Sequence, residues 1–242
     1  MKILIACEES QEVCKAFRAK GHEAYSCDII EPSGGHPEWH IKGDVIKLIS
    51  PDILICSFDR NTPNEMWGTF CTMDGKIHEL PARWDLIIAH PPCTYLSNAG
   101  ARWLYAGGQL NMNRYKKGLA AKDFFMKFYN ANCDRIAIEN PIPTTVYGLP
   151  KYNQTIQPYD FGHPVSKKTC LWLKGLPPLM ATEIVEPKQY REMTLKNGKV
   201  RKSCWTMDCG KPFGGKDRAR LRSKTFSGIA QAMADQWGDI NA

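Results

Sequence analysis

Residues 85–93, Asp-Leu-Ile-Ile-Ala-His-Pro-Pro-Cys, place the strongest constraint on how this chain can fold. The apolar run that follows Asp85 predicts a buried strand. Pro91 and Pro92 each hold φ at about −65° and lack a backbone N–H donor, so the strand has to end before them. Cys93 is therefore expected at the carboxyl edge of a sheet, which is where open α/β folds bind their ligands.

A second strand with a polar end is predicted at residues 135–141, Arg-Ile-Ala-Ile-Glu-Asn-Pro. Glu139 lies 46 residues after Cys93, and the two side chains face one pocket if the strands are neighbours. A free cysteine is more often inert packing than a nucleophile. The cysteines in apolar or helical contexts are interpreted as packing: Cys7, Cys14, Cys27, Cys56 and Cys170. Cys93 differs because a polar loop follows it, so it is a candidate nucleophile.

The order of Pro-Pro-Cys at 91–93 and Glu-Asn-Pro at 139–141 resembles the cytosine-C5 DNA methyltransferases. That family has a catalytic Pro-Cys motif and a Glu-Asn-Val motif on adjacent strands. The resemblance extends over most of the chain in family order and is closest to short methyltransferase-like proteins of bacteriophages. It implies an α/β fold: a Rossmann-like sheet of the S-adenosylmethionine-dependent methyltransferases, with helices on both faces and a small basic lobe. It also implies DNA modification of the kind found in restriction-modification systems.

The resemblance assigns roles to individual residues. The implied catalytic residues are Cys93, Glu139, Asn140 and Lys167. The residues implied to bind S-adenosylmethionine are Ala6, Cys7, Glu8, Ser10, Asp28, Ile29, Asp44, Val45, Pro91 and Ser227. The residues near the nucleophile expected to bind substrate are Pro92, Ser97, Arg102, Lys168 and Thr169.

Two segments depart from the family pattern. Residues 6–10, Ala-Cys-Glu-Glu-Ser, contain no glycine where the family has Phe-x-Gly-x-Gly, and glycine best allows a backbone to approach a ligand. Residues 165–169, Val-Ser-Lys-Lys-Thr, stand where the family has Gln-x-Arg-x-Arg. In that alignment Lys167 and Thr169 replace the arginines, and lysine supplies a point charge without a bidentate fork.

The implied reaction is covalent catalysis on a cytosine flipped out of the duplex. Attack of the Cys93 thiolate on C6 makes C5 nucleophilic enough to accept a methyl group. A thiolate near neutral pH requires electropositive surroundings, to which Lys167 or Arg102 are expected to contribute. Glu139, protonated or sharing a proton with N3, stabilises charge on the ring, and Asn140 holds the loop or the base.

The cofactor side is predicted to be a β-α-β unit with a strand at 3–6, a helix at about 11–20 and a strand at 24–28. Asp28 ends the second strand, where an acid accepts hydrogen bonds from ribose hydroxyls. Such an aspartate is common in α/β domains. Asp44 is expected either to contact the adenine amino group or to cap a turn.

Positive charge is concentrated near the carboxyl terminus. The net charge is +7, and residues 188–224 hold twelve Lys or Arg against three acids, so the remainder is slightly acidic. Asn197-Gly198 predicts a hairpin there. The segment indicates phosphate contacts, with a solvated surface as the alternative. Its residues expected to contact substrate are Lys199, Arg201, Lys202, Arg218, Arg220 and Arg222.

The length of 242 residues predicts one domain with a sizeable core. The resemblance and the charge pattern imply a catalytic core at 1–174, a small basic DNA-recognition lobe at 175–224 and a returning helix at 225–242. No apolar run of about 18 residues occurs, so no membrane span is expected. The ten cysteines without paired spacing indicate reduced thiols and a cytoplasmic setting. The resemblance to bacteriophage proteins implies that this cytoplasm is that of a bacterial host cell. Cys204 and Cys209 alone do not make a zinc site, so no metal is expected. Double-stranded DNA is the expected partner of a monomer.

The sequence leaves three hypotheses about function open. The first is DNA cytosine-5 methyltransferase. The second is an enzyme that modifies cytosine in RNA or in a free nucleotide, or that uses another donor, with the same Cys93 chemistry. The third is a catalytically silent DNA-binding relative that acts against host restriction, which the altered first loop favours. Retention of Cys93, Glu139 and Asn140 argues against the third, because a binding protein needs none of them.

Overall fold

The computed structural model describes residues 1–49, 55–58, 66–81, 83–188, 192–194, 197–202 and 221–239. The amino-terminal elements are β1 (Lys2–Ala6), α1 (Glu12–Ala19), β2 (Glu23–Asp28), β3 (His40–Lys42), α2 (Ile46–Ile49), β4 (Ile55–Phe58), β5 (Met66–Cys71), β6 (Ile77–Pro81) and β7 (Leu86–Ala89). They are followed by α3 (Asn98–Ala101), β8 (Tyr105–Ala106), β9 (Gln109–Leu110), α4 (Met112–Tyr129), β10 (Ile136–Pro141), β11 (Gln154–Ile156), β12 (Thr169–Lys174), β13 (Glu192–Thr194), β14 (Val200–Lys202) and α5 (Ser227–Gly238).

A seven-stranded sheet with the order β11-β12-β10-β7-β1-β2-β3 forms the centre of the fold. The five strands from β10 to β3 in this order run parallel, and β12 is antiparallel to both of its neighbours. The chain builds outward from β1 to β3 and then returns to the other side of β1 with β7. The carboxyl ends of β1 and β7 therefore flank a topological switch point, the usual ligand crevice of an open α/β sheet.

Alternating side chains along the strands bury both faces of this sheet. In β1, Ile3 and Ile5 pack on one face with residues of α1 and α5, among them Phe17 and Trp237. Leu4 and Ala6 belong to the core on the other face, which α4 covers through residues such as Phe125. The predicted α/β fold class, a Rossmann-like sheet with helices on both faces, is confirmed.

The predicted elements agree with the structure except at their ends. The helix predicted from about residue 11 begins at Glu12. The apolar pattern of residues 118–130 predicts a helix there, and α4 begins earlier, at Met112, because the Asn111 side chain accepts a hydrogen bond from the Arg114 N–H. Asp74-Gly75 is a second turn signal besides Asn197-Gly198, and hairpins form at both: β5 pairs with β6, and β13 pairs with β14.

Gly100, Gly107 and Gly108 predict an active-site loop over residues 99–117. The structure instead contains most of α3, the β8–β9 hairpin and the first turns of α4 there. The proposed division into a core, a basic lobe and a returning helix stays a prediction, and residues 203–220 of the lobe lie outside the described residues. None of the helices in the described part of the chain combines the length and apolar character that crossing a bilayer requires.

Candidate active site

The predicted nucleophile strand and Glu139 strand are neighbours in the sheet. β7 and β10 run parallel with Ile138 beside Ala89. The next residues, His90 just past the end of β7 and Glu139 still within β10, therefore lie side by side. His90 Nδ1 lies 2.7 Å from Glu139 Oε2. Cys93 follows three residues later, partly buried, and is near enough to Glu139 for the carboxylate to affect its thiol. The structure thus brings Cys93 and Glu139 to one edge, as the motif order predicted.

The His90–Glu139 contact is an ion pair. Burial opposes charge on both groups, but the contact outweighs it. Burial lowers the pKa of His90, whereas the hydrogen bond and charge of Glu139, with a smaller contribution from Glu8, bring it above its ordinary value. Burial raises the pKa of Glu139, whereas the hydrogen bond and charge of His90, together with the charge of Lys167, bring it below its ordinary value. The proton between the two therefore resides on His90 near neutral pH.

The electrostatics of Cys93 differ from the sequence expectation. Burial and the Glu139 carboxylate raise the pKa of the thiol, against weaker lowering by Lys167 and Arg222. The thiol is therefore protonated in the resting site rather than held as a thiolate. Lys167 contributes the expected positive charge. Arg102 is exposed, and its guanidinium lies 4.7 Å from the Trp103 ring.

Lys167 is held in place just before β12. Its backbone N–H donates to Gln157 Oε1 at 3.0 Å, and its Nζ donates to the Lys224 carbonyl at 3.4 Å. Thr169 is buried, and its hydroxyl donates to the Lys167 carbonyl. Lys168 is exposed. Of the predicted segment 165–169, Lys167 is the residue whose charge reaches the active site, while Thr169 has its side chain in the protein interior.

Two buried polar atoms at this edge have no hydrogen-bond partner among the described residues: His90 Nε2 and Asn140 Oδ1. Asn140 is 1% exposed, and its Nδ2 donates to the Pro141 carbonyl at 2.6 Å. An unsatisfied buried polar atom costs free energy that a bound ligand can recover by supplying the missing partner. His90 is hydrogen-bonded to Glu139, and Asn140 follows Glu139 in the sequence. A polar ligand bound at this edge could therefore supply hydrogen-bond partners for both atoms.

The segment after Cys93 is a compact turn. The Ser97 N–H donates to the Cys93 carbonyl at 3.0 Å, and the Ser97 side chain caps α3 by accepting from Gly100 N–H. A Cβ on Gly100 would lie 2.1 Å from the Thr94 carbonyl oxygen, so only glycine fits. Arg114 Nη2 donates to the carbonyls of Thr94 and Gly100 at 3.2 and 3.1 Å, which ties the turn to α4.

The turn is also joined to the strand that carries Glu139. The Thr144 N–H donates to the Leu96 carbonyl at 2.7 Å, and the Asn98 N–H donates to the Ile142 carbonyl at 2.9 Å. These bonds connect the segment after β7 with the segment after β10. The relative position of Cys93 and Glu139 is therefore held by the backbone as well as by the sheet.

The loop after β1 uses a left-handed backbone although it has no glycine. Cys7 and Gln11 both have φ of 58°, in the region that ordinarily favours glycine. Glu8 is buried, and its carboxylate accepts the Val13 and Cys14 N–H groups at 2.7 and 3.2 Å, which satisfies the start of α1. Burial raises the pKa of Glu8, against the charge of His90 and these hydrogen bonds.

The loop after β2 covers much of this first loop. The Ser33 N–H donates to the Glu9 carbonyl at 2.7 Å, and Gln11 exchanges hydrogen bonds with the His36 backbone. Ser10 is 4% exposed. The side chains of Glu8 and Ser10, both predicted to bind the cofactor, are therefore covered by protein in this structure. Asp28 and the backbone of Cys7 lie at the same edge, since the Asp28 carboxylate contributes to a raised pKa of the Cys7 thiol, after burial.

The other predicted cofactor residues have varied surroundings. Asp28 is partly buried, and burial raises its pKa against the Ile30 N–H that its carboxylate accepts. Asp44 is exposed and accepts the Ile46 N–H at 3.0 Å, so it caps α2. Ile29 is 62% exposed. The remaining positions are buried Ala6, Val45 and Pro91, and exposed Ser227 at the start of α5.

The remaining predicted substrate residues are spread over the molecule. Pro92 is exposed beside Cys93, and Ser97 is buried as the α3 cap. Arg222 is exposed, and its charge reaches Cys93. Lys199 lies in the β13–β14 turn, and Arg201 and Lys202 are in β14. Arg218, Arg220, Cys204 and Cys209 lie outside the described residues.

No family model and no curated protein matches this chain. Solved structures do resemble it. One is a DNA modification methyltransferase encoded within an E. coli prophage, at 14% identity and a TM-score of 0.40, covering 77% of this chain and 52% of that one. Another is a triple mutant of Spodoptera frugiperda DNMT2, at 15% identity and a TM-score of 0.34, covering 77% of this chain and 55% of that one. The chain thus spans about half the length of either structure.

Three residues of the site were not anticipated: His90, Glu8 and Arg114. His90 had a usable signal, because it immediately follows the β7 strand just as Glu139 nears the end of β10, and parallel neighbours bring such residues together. Glu8 and Arg114 had no local signal. The first depends on how the loop folds onto α1, and the second depends on where α4 begins relative to the turn after Cys93.

Proposed function

We propose that this protein is a DNA (cytosine-5)-methyltransferase that works through a covalent bond between Cys93 and C6 of a flipped cytosine. The observation that carries the proposal is the meeting of Cys93, Glu139 and Lys167 at the carboxyl edge of the sheet, with His90 bound to Glu139. A nucleophile, a proton-sharing carboxylate and a cation within one site are what addition to a cytosine ring requires.

The adjoining edge fits S-adenosylmethionine, whose sulfonium would supply the methyl group. The partly buried Asp28 carboxylate at the end of β2 would accept ribose hydroxyls, and exposed Ile29 offers an apolar surface beside it. The left-handed backbone at Cys7 turns the chain at the switch point. The Glu8 side chain is directed into the start of α1 and so does not protrude from this turn. The buried, unpartnered His90 Nε2 lies between the ends of β1 and β10, where a polar ligand would complete its hydrogen bonding.

The Cys93 thiol first gives its proton to solvent, and the resulting thiolate attacks C6 of the cytosine. The raised pKa of the thiol means that the resting enzyme holds it as a neutral group. Substrate binding that draws Glu139 toward the base removes negative charge from the thiol, because Glu139 raises its pKa. The positive charges of Lys167 and Arg222 then favour the thiolate. The nucleophile is in this way activated only when the base is present.

The His90–Glu139 pair manages the proton at N3 of the ring. As the Cys93 sulfur bonds to C6, electron density moves toward N3 and the ring becomes a stronger base. Glu139, which is ionised in the resting site, takes the shared proton from His90 Nδ1 and passes it to N3. After C5 has gained the methyl group, a water molecule takes the C5 proton and the Cys93 thiolate departs from C6, which restores the aromatic ring. N3 returns its proton to the pair, and Cys93 regains a proton from solvent.

The deciding experiment measures transfer of radiolabelled methyl from S-adenosylmethionine to mixed-sequence duplex DNA. The wild-type protein is compared with Cys93→Ala and with Cys133→Ser, a buried thiol that precedes β10 at the opposite edge of the sheet. Label in DNA with wild type and Cys133→Ser, but not with Cys93→Ala, supports the proposal. A DNA substrate containing 5-fluorocytosine should then trap a covalent complex, because the fluorine cannot leave as a proton does. Absence of both label and trapped complex would overturn it.

A further inference from the structure

An open groove of about 630 Å³ lies directly beside the turn that follows Cys93. The lining residues that concern its chemistry are Tyr95, Trp103, Tyr105, Asn111, Arg114 and Lys117. Its size falls within the range of roughly 300–1,000 Å³ that is usual for ligand sites. The groove is continuous with the candidate active site, because Tyr95 is two residues from Cys93 and Arg114 holds the Thr94 carbonyl.

The groove displays aromatic rings to solvent. Trp103 and Tyr105 are 59% and 57% exposed, which is unusual for side chains whose burial stabilises a fold. Cations accompany the rings: the Arg102 guanidinium lies 4.7 Å from the Trp103 ring and the Arg114 guanidinium 4.9 Å from the Tyr95 ring. Exposed rings with guanidinium groups beside them form a stacking surface for other flat rings.

The charged residues that line the groove, Arg114 and Lys117, are both basic. Residues 86–122 contain no Asp or Glu, and they contain five basic residues: Arg102, Arg114, Lys116, Lys117 and Lys122. This is a second concentration of positive charge, separate from residues 188–224. Its five basic residues all follow Cys93 within 30 residues, whereas the first concentration lies near the carboxyl terminus. A surface that is both aromatic and uniformly basic complements a polyanion that carries flat rings.

We infer that this groove binds single-stranded DNA, namely the unpaired nucleotides that adjoin the target cytosine. The inference rests on the proposed function for the direction of the strand toward Cys93. The bases would stack on Trp103 and Tyr105, and Lys117 and Arg114 would neutralise the phosphates. A duplex hides the faces of its bases, so the rings of this groove have stacking partners only where the strands are separated. Stacking also tolerates any base, so the groove adds affinity without adding sequence preference.

The test uses fluorescein-labelled oligothymidylate, whose fluorescence anisotropy reports binding without methyl donor. This probe has no cytosine, so it isolates the groove from the methylation chemistry. We expect Trp103→Ala and Tyr105→Ala each to weaken binding on the order of tenfold, as loss of one stacked base does. Lys117→Glu should weaken binding, because one phosphate contact is lost. The slope of the logarithm of the binding constant against the logarithm of salt concentration should become shallower by roughly 0.7.

The matched controls are Tyr129→Ala and Lys127→Glu, an exposed ring and an exposed cation near the other end of α4. Both should bind oligothymidylate as wild type does. Equal weakening in the groove variants and the controls, or unchanged binding by Trp103→Ala and Tyr105→Ala, would overturn the inference. So would a wild-type preference for the same length of duplex over the single strand.

Methyl transfer is measured in parallel, so the two proposals fail separately. Ring-dependent oligothymidylate binding without methyl transfer to any DNA would leave the groove intact and remove the proposed enzyme function. Methyl transfer that depends on Cys93, with oligothymidylate binding indifferent to Trp103 and Tyr105, would retain the enzyme and remove the groove.

Discussion

His90 and Glu139 form a hydrogen-bonded ion pair across two neighbouring parallel strands, with Nδ1 and Oε2 2.7 Å apart and both side chains largely buried. The pair connects the segment that carries the candidate nucleophile Cys93 to β10, the strand that carries Glu139. It also places an acid–base couple beside Cys93, whose thiol the carboxylate affects. Protonation in this site is therefore a property of the pair rather than of Glu139 alone.

Stability should depend on pH through this pair. The raised pKa of His90 means that its contribution is present below its ordinary pKa of about 6.5 and is lost as pH rises through the raised value. The lowered pKa of Glu139 means that its contribution is present above its ordinary pKa of about 4.3 and is lost as pH falls through the lowered value. The pair thus stabilises the fold most at mildly acidic pH.

The corresponding measurement is urea unfolding of wild type and His90→Gln between pH 5 and pH 9. We expect His90→Gln to lose about 1.5–3 kcal/mol at pH 5.5, as for a hydrogen bond to a charged group, and less at pH 9. The double variant His90→Gln with Glu139→Gln should recover part of the loss, because no charge then lacks its partner. A loss independent of pH would contradict the ion pair.

Reactivity of Cys93 should follow the charges around it. Glu139→Gln removes the charge that raises the pKa of the thiol, and Lys167→Met removes a charge that lowers it. Iodoacetamide at pH 7.5 should therefore alkylate Cys93 several-fold faster in Glu139→Gln and several-fold slower in Lys167→Met, since one pKa unit changes the thiolate fraction about tenfold. Peptide mass spectrometry measures the rate. Lys168→Met is the control for the neighbouring exposed lysine and should react as wild type does.

Gly100 should be indispensable for the turn after Cys93. Gly100→Ala places a Cβ 2.1 Å from the backbone carbonyl oxygen of Thr94, which cannot move aside as a flexible side chain does. We expect a loss of about 1–3 kcal/mol in unfolding free energy. Methyl transfer should fall at least tenfold, because the turn positions the nucleophile. Ala99→Gly, at an exposed position of α3, serves as the control. Full activity of Gly100→Ala would show that the turn does not position Cys93.

Substitution of Asp28 and substitution of Asp44 should have different effects on the affinity for S-adenosylmethionine. Asp28→Asn should weaken binding of S-adenosylmethionine about tenfold or more in calorimetry without DNA, because hydrogen bonds from ribose hydroxyls to a charged acceptor are lost. Asp44→Asn should bind normally, since asparagine can still cap α2 by accepting the Ile46 N–H. Equal weakening by both substitutions would instead place Asp44 against the adenine.

Much of the fold was accessible from local patterns. The apolar runs before Asp28, His90 and Glu139 predicted strands, and Pro91 and Pro92 predicted the end of β7, because alternation and proline act within a few residues. The first loop was less accessible. Its lack of glycine suggested an altered backbone, yet Cys7 adopts the left-handed conformation that glycine would, since the packing of Glu8 onto α1 overrides the intrinsic preference.

The sequence by itself determined the α/β pattern, the position of Cys93 past the end of a strand and the presence of Glu139 at the end of another. These follow from side-chain volume, hydrophobicity and backbone restriction, which act locally. Only the tertiary structure decided that His90 pairs with Glu139 and that the charge of Lys167 acts on the Cys93 thiol. It also decided that Arg114 holds the turn after Cys93. Such contacts depend on which strands become neighbours, in which register, and on where helices pack against them. Those choices minimise the free energy of the whole chain, and no short segment encodes them.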